Sequence, residues 1–517
     1  MKRNWWIAAA LIVGMATMAG ANGQDESAKG TDRMQISIAF WDIGSRISSD
    51  QKDDFVLFLE DKFDIDIVER NLSWGDYSEK IRLWGASGDL PDVFASDMML
   101  TQDYFQWVEE GLLRALPENL DDYPNVKAVT EMDSVKGLSI DGQFYLLPRT
   151  NAKDATYNSA ERGIVSRKDW REALGMERPE TFEEYMALAK AFTEMDPDGN
   201  GVDDTYGMTF VNKRFTSVAL LSSVPEAASK SWRYENGRWI PGYASEDMID
   251  GIMELNELWN AGVMDPDTLS LNGNQGMERF CQGNMGMFFV HAQPSRVYEM
   301  SRMWNKYNDN DVTDVVEFLP VWTNDEGNRY AFHEGKNFWS SSYFPGTVSD
   351  EKMAKIMELY DFFLSEEGQN CFKYGIPGVD WNVEGEDIVR VDDSDMMKKY
   401  PSIDSLFNLA SWGIAYTNWV KDDFSLGLYT EKIMDMCYDQ YLMSTEILSP
   451  VNMGIQYLTT PNKAKFERGD MIFDSVLSAM VSPDPAAEWA KTMEQLRAEG
   501  LEEAIEEVNA KAKEMGL

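Results

Sequence analysis

Histidine is nearly missing from these 517 residues: only His291 and His333 are present. Two imidazoles cannot build a His-rich metal centre, and they leave little room for His-based acid–base catalysis. Cysteine is almost as scarce, at Cys281, Cys371 and Cys437. Three distant thiols can form one bridge at most, and a chain this long needs none to hold its core. Buried free thiols are expected. Positive charge is also short, with 47 Lys+Arg against 89 Asp+Glu and a formal net charge of −42. Such a surface repels phosphate backbones and anionic lipid, which argues against nucleic-acid and membrane-surface partners. Past residue 21 no apolar run approaches the ~20 residues of a membrane-spanning helix. The chain has no Gly-x-Ser-x-Gly elbow, no P-loop and no His-Glu-x-x-His. Nor does any carboxylate pair stand out for the ~5–10 Å separation of a glycosidase. The chain therefore reads as a non-enzyme, with a carbohydrate-active hydrolase as the alternative.

Hydrophobic residues make up 44% of the chain, and aromatics are dense, with 17 Trp, 21 Tyr and 25 Phe. The length is ample for large cores, at roughly three domains by a prior of ~150 residues each. Lys2 and Arg3 precede an apolar stretch from Trp5 to Ala16 and then Ala19-Gly20-Ala21. This pattern predicts a signal peptide over 1–21, cleaved after Ala21, and a periplasmic or extracytoplasmic location. An uncleaved anchor is the alternative. No Cys lies near the site, so no lipidation is expected. Residues 22–33 read as a flexible polar leader.

From residue 34 an α/β rhythm begins. Ile36, Ile38 and Phe40 alternate as a strand, and Phe55, Phe58, Leu59 and Phe63 follow at helical spacing. Ile65 and Ile67 mark a second strand. A helix with Ile81 and Trp84 inward follows, then a third strand over Pro91–Ala95. A βαβαβ series implies a parallel sheet with helices on both faces, and ligands bind beyond the carboxyl ends of its strands. Those ends carry Trp41-Asp42 and Ser96-Asp97. Farther on, Thr181 and Glu184 form a capping box ahead of the apolar face Phe182, Tyr185, Met186 and Ala189. Strands are expected at Gly286–Val290 and Val315–Leu319, and helices at Lys352–Leu364 and Pro483–Leu517, the last broken at Gly500.

Several segments, in order along the chain, carry a resemblance. They are Ala86-Ser-Gly-Asp-Leu-Pro-Asp-Val93, Asp141-Gly-Gln-Phe-Tyr-Leu-Leu-Pro148, and Arg167-Lys-Asp-Trp170 with Leu174-Gly175 and Pro179-Glu-Thr-Phe182. Phe280-Cys-Gln-Gly-Asn-Met-Gly-Met287 and Tyr374-Gly-Ile-Pro-Gly378 complete the set. Together they resemble extracellular solute-binding proteins of the carbohydrate type, the receptors of ABC importers. The large lipoprotein-like and alginate-oligosaccharide-binding members are the most similar. The resemblance implies an α/β fold of two lobes, each a sheet flanked by helices, joined by a hinge around a ligand cleft. It implies a first lobe of 34–147 and 320–365, a second of 148–319 and 366–460, and C-terminal helices over 461–517. Crossings are expected near Pro148, near Leu319-Pro320 and within Gly346–Phe372. The implied function is capture of a carbohydrate, an oligosaccharide, by a monomer that delivers it to permease subunits without chemistry. Presentation to a chemosensor is the alternative.

A sugar ring offers an apolar face to an aromatic ring, and its hydroxyls need planar polar partners. By position, the candidate ligand residues are Trp41, Asp42, Asp97, Asn337, Trp339, Trp381 and Trp412. His291 and Gln293 join them at a strand end that lines the cleft in relatives of the resembled family. The acidic surface argues against a polyanionic ligand unless a local Arg overrides it, and Arg149, beside the hinge, is one candidate. Separately, Asp196, Asp198, Asn200 and Asp204 alternate with Gly199 and Gly201, as in the opening of a calcium loop. Val202 would add its carbonyl. Gly207 stands where a full EF-hand has its bidentate Glu, so the loop is partial. A structural Ca²⁺ is expected there, with a metal-free Asx-turn as the alternative.

Overall fold

The first strand, β1 (Met34–Trp41), begins by alternating and ends buried on both faces, as expected for a sheet covered on two sides. The computed structural model describes residues 33–47, 51–150, 155–156, 162–212, 216–271, 274–385, 387–392, 394, 396–411, 429–466 and 469–517. Asp53 caps the helix Asp54–Phe63 by accepting from the Val56 N–H. That helix buries Phe55, Val56, Leu59 and Phe63, and Asp64 turns left-handed at its end to start β2 (Ile65–Leu72). The helix Tyr77–Ser87 then leads to β3 (Val93–Ser96), and both β2 and β3 lie parallel to β1. The expected βαβαβ series is therefore present. β4 (Leu147–Thr150) holds Pro148 on the edge of this sheet, where a missing N–H is tolerated.

The next strands build a second sheet. β5 (Gly163–Arg167) and β6 (Tyr206–Phe210) are followed by a hairpin of β7 (Trp232–Glu235) and β8 (Arg238–Pro241). β9 (Met285–Val290) and β10 (Val316–Leu319) complete the order β10-β5-β9-β6. β6 runs parallel to β9, whereas β5 is antiparallel to both its neighbours. The helix Phe182–Glu194 opens on the expected box: Glu184 N–H donates to Thr181 Oγ1, and Thr181 N–H to Glu184 Oε2. Two glycines let it lie close on the sheet. A Cβ on Gly286 would come 2.0 Å from Phe192 Cδ2, and one on Gly207 2.4 Å from the Ala189 carbonyl oxygen.

β11 (Phe338–Tyr343) returns to the first sheet and inserts antiparallel between β3 and β4, giving β2-β1-β3-β11-β4. A final hairpin, β12 (Trp381–Glu384) and β13 (Asp387–Arg390), stands apart from both sheets.

Two hydrophobic cores result, and their membership differs from the expected boundaries. Residues between Cys371 and Ala410 pack in the first core, although 366–460 had been expected in the second lobe. The reason is Phe407, whose ring lies against Phe55, Phe363 and Phe372 at centroid distances of 4.8 to 6.0 Å. Asp53 also accepts from Ser402, tying this segment to the first helix. Conversely, Val321, Trp322 and Phe332 belong to the second core, so the second crossing extends from β10 to β11. No crossing falls within Gly346–Phe372. The chain stays with the first core to Ser411, which pairs with Thr150. The C-terminal helices Pro485–Ala498 and Leu501–Met515 are not a separate unit: Trp489, Met493, Leu496, Leu501, Ile505 and Val508 join the second core.

Candidate functional site

Strand registry gathers the aromatic side chains at one edge of the first sheet. β1 and β2 end together, with Trp41 opposite Leu72, so Trp74 follows just past that edge. β11 is antiparallel, with Ser341 opposite Ser96, and this brings its first residues, Phe338 and Trp339, to the same edge. The rings stack: Trp41 to Trp74 at 5.0 Å and 14°, and Trp74 to Trp339 at 6.0 Å and 25°. Trp41 meets Trp339 at 5.2 Å and Tyr77 edge-on at 5.1 Å. Trp41 is only 3% exposed, whereas Trp74 is 47% exposed. The open face of the group therefore belongs to Trp74.

Carboxylates flank the stack. Asp97 accepts from Tyr77 Oη at 2.9 Å and does not cap the following helix, a role taken by Thr101. Asp42 is exposed in a left-handed turn (φ 58°), its N–H donating to the Leu72 carbonyl at 2.7 Å. Beneath the stack lies Arg149, fully buried, with its guanidinium 4.5 Å from the Phe40 ring centroid and 5.2 Å from that of Trp41. Burial lowers its pKa to about 9. It backs the platform from below, at a depth that an open-cleft contact to an anionic ligand does not reach.

The carboxyl edge of the second sheet follows β6 and β9, which run parallel and end near Asn212 and His291. These two, with Asn274 and Arg296, line a cavity of about 50 Å³. That holds a hydroxyl group or a water but no sugar ring. Arg296 Nη1 and Asn274 Nδ2 both donate to Glu299 at 2.5 Å. Gln293 is half-buried at the start of the helix Pro294–Trp304 and makes no side-chain cap. The first two crossings join these same two edges, one from Thr150 to Gly163 and one from Leu319 to Phe338.

The structure does not bring every candidate to these edges. Trp381 is 5% exposed in the first core, its indole N–H donating to the Gly375 carbonyl at 2.9 Å and its ring against Tyr374. It is a core residue and no open platform. Asn337 is also buried, accepting from Ser134 Oγ at 2.7 Å. Trp412 lies outside the described residues. Sequence reading missed Trp74, Tyr77 and Asn212. The rule that selected Trp41, an aromatic just past a strand end, applies equally to Trp74 after β2.

The acidic loop folds around Asn200. Its side-chain amide donates to Asp198 at 2.8 Å and to Asp204 at 3.3 Å, and its backbone N–H faces Asp196 and Asp198. Asp196 also accepts from Gly201 N–H, and Val202 N–H donates to Asn200 Oδ1. Partial burial raises the Asp198 carboxyl from its ordinary value, and neighbouring Asp196 and Asp204 add to this. Among the described residues no group of three or more His, Cys, Asp or Glu is arranged to hold a metal ion. The carboxylates here turn to amide donors instead. The donor set is nevertheless all hard oxygen, and an NH₂ group occupies the place between two carboxylates that a cation would favour. The three cysteines are buried and free, and burial pushes Cys281 and Cys371 up to about 12.

Residues 48–370 match the profile of the bacterial extracellular solute-binding proteins. The polygalacturonan/rhamnogalacturonan-binding protein YtcQ of Bacillus subtilis (strain 168) is 25% identical over 311 residues, 58% of each chain. The fructooligosaccharide ABC transporter substrate-binding protein FusA of Streptococcus pneumoniae serotype 4 is 23% identical over 267 residues, 49% of this chain and 47% of that one. The chain thus spans about half to three-fifths of the length of the curated relatives it matches. Solved structures cover more. Alginate-binding protein AlgQ2 without calcium ion superposes with a TM-score of 0.70 at 18% identity, over 93% of this chain and 99% of that one. FusA of S. pneumoniae with kestose gives 0.68 at 16%, over 94% and 99%. A FusA EF-hand mutant with fructo-nystose gives 0.65 at 16%, over 94% and 99%. These neighbours share the two-lobed α/β fold, and they are binding proteins. Among the described residues no helix is long and apolar enough to cross a membrane.

Proposed function

The chain belongs to the bacterial extracellular solute-binding proteins, and from that premise we propose that it captures a carbohydrate between its two lobes for an ABC importer. The ligand is an oligosaccharide, held without chemistry and passed to permease subunits by a monomer outside the cytoplasm. The observation that carries this reading is the stack of Trp41, Trp74 and Trp339 at the carboxyl edge of the first sheet. Its exposed Trp74 ring offers a flat apolar face, and Asp42 and Asp97 stand beside it as hydroxyl acceptors. Asn212 and His291 supply polar groups at the edge of the second sheet. Relatives and neighbours named for polygalacturonan, fructooligosaccharide and alginate binding support a sugar ligand.

The reading includes a structural Ca²⁺ in the loop of Asp196, Asp198, Asn200 and Asp204, with the Val202 carbonyl as a further ligand. It is supported by the crowded carboxylates and by neighbours named for calcium and for an EF-hand. Bound there, the ion would neutralise the loop's charge at the corner between the helix Phe182–Glu194 and β6.

The test is tryptophan fluorescence titration of wild type and Trp74→Ala with neutral and uronate oligosaccharides. The substitution should weaken binding by about 0.5–1.5 kcal/mol, roughly two- to tenfold, with an unchanged melting temperature. Recovered sugar should be intact by chromatography. Equal affinity of the two proteins would remove the platform, and turnover of the sugar would replace the receptor with a hydrolase.

A further inference from the structure

Three chain segments run between the lobes, and one buried side chain touches the first-lobe end of each. The first segment leaves β4, which contains Arg149 and ends at Thr150. The second enters through β11, and Arg149 Nη1 donates to Ser340 Oγ of that strand at 2.8 Å. The third connects Ser411, beside the first core, to Tyr429, packed on the second, and Arg149 Nε donates to the Asn408 carbonyl at 2.5 Å. Neighbouring bonds close the seam. Ser411 Oγ donates to the Thr150 carbonyl at 2.7 Å, and Ser342 Oγ to the Leu409 carbonyl at 2.8 Å. Tyr360 Oη in turn donates to Ser342 Oγ at 2.8 Å. All of these side chains are buried.

The same guanidinium supports the aromatic stack, facing Phe40 and Trp41. Arginine suits both tasks. Its fork aims hydrogen bonds within the guanidinium plane, while its flat face stacks on aromatic rings. A lysine ammonium has neither the fork nor the face. Burying a cation costs free energy unless its donors are met, so a fully buried guanidinium here calls for a positional reason. Close packing then links its two sets of neighbours, because a shift of the Trp41 ring cannot leave the guanidinium plane where it was.

We propose that Arg149 is a positioning residue that couples the Trp41–Trp74–Trp339 platform to the three inter-lobe segments, so that ring arrangement and lobe angle change together. This deepens the carbohydrate-receptor reading and rests on it for its purpose. A ligand that settles on the platform bears on the β4 and Asn408–Ser411 ends through this side chain, and on the β11 end both through it and through Trp339, and a hinge movement re-sets the platform.

The test uses the full chain without sugar. One measurement is the exciton couplet of the stacked indoles in circular dichroism, and the other is the radius of gyration and its spread by small-angle scattering. Arg149→Lys keeps a cation and loses the fork and the flat face. The couplet should fall severalfold and the scattering profile should broaden toward a wider range of lobe angles. Ser340→Ala, next to Trp339 in β11, keeps every stacked indole and the guanidinium and removes one of its hydrogen bonds, and it should move both signals in the same direction by a smaller amount. A merely structural residue would lower the melting temperature of Ser340→Ala and leave its couplet alone. If either signal moves without the other, or if Ser340→Ala moves neither, the coupling is wrong. Should Arg149→Lys fail to fold, Ser340→Ala decides alone. Neither measurement needs a ligand, so a negative result here leaves sugar capture standing. A protein that binds no sugar would leave the coupling standing.

Discussion

Replacing Glu254 with Gln should raise stability above neutral pH and change little at pH 5. Glu254 lies on the helix Met248–Asn260 and accepts from Trp322 Nε1 at 2.9 Å and from Ser222 Oγ at 3.1 Å. Trp322 is wholly buried on the second inter-lobe segment. Burial raises the carboxyl from the ordinary Glu value of 4.5 to about 7, and nearby Asp325 and Asp250 push the same way against the two hydrogen bonds. A raised carboxyl means that the folded protein binds a proton more tightly than the unfolded chain. Between pH 4.5 and 7 the folded state therefore holds more protons, and stability falls as pH rises through that window. A displacement of about two and a half pH units, at about 1.36 kcal/mol each, sets an upper bound of about 3.4 kcal/mol. Glutamine is neutral throughout and keeps an acceptor for the Trp322 indole. The assay is thermal unfolding of both proteins from pH 5 to pH 8. The melting temperature of the Gln variant should pull ahead with rising pH, by several degrees at pH 8, at roughly 2–4 °C per kcal/mol. Parallel curves across the range would refute the argument, since they would mean that Glu254 ionises as it does in water.

Three further outcomes follow from the packing. Trp381→Ala should destabilise the first lobe by about 3–5 kcal/mol in denaturant titrations while leaving sugar affinity at low temperature intact, because it empties a core site. A loss of affinity without a loss of stability would return Trp381 to the cleft. Gly286→Ala should cost about 1–3 kcal/mol by driving a methyl into Phe192, seen as a lower urea midpoint; an unchanged midpoint would mean that the helix Phe182–Glu194 shifts freely. Chelation should lower the melting temperature of wild type but not of Asp198→Ala, with sugar affinity unchanged in the cold. If wild type ignores the chelator, the loop is an Asx-turn without metal.

Local pattern made the first half of the first lobe readable. The strands and helices from Met34 to Ser96 each carry their own period, and successive elements pack on one another. The capping box at Thr181 and Glu184 was readable for the same reason. What sequence could not give was the partner of distant segments. Nothing near Phe407 announces that it fills the space between Phe55 and Phe363. Trp381 misled because a tryptophan after a glycine turn fits a cleft as well as a core. Asp380 decides it: buried beside the indole, this carboxylate accepts from Ile376 N–H, Tyr400 Oη and Lys399, and draws the hairpin inward. Trp74 was within reach, since the strand-end rule that chose Trp41 covers it. Its exposure depends on how β11 brings Trp339 alongside, which is a long-range fact.

The late arrival of β11 has a consequence for how the chain acquires its shape. Ser96 of β3 finds its partner only when Ser341 is available, and Pro148 of β4 waits for the same strand. Until then β4 has no hydrogen-bonded neighbour and β3 has an open edge toward the middle of the sheet. The whole second sheet, by contrast, is encoded between Gly163 and Leu319, inside that interval. Long-range pairing pays its loop-closure entropy before any contact returns it, so it forms slowly. The interior segment should therefore build its sheet first. The amino-terminal segment, although made earlier, should stay open with one edge exposed until strands encoded after it close the sheet.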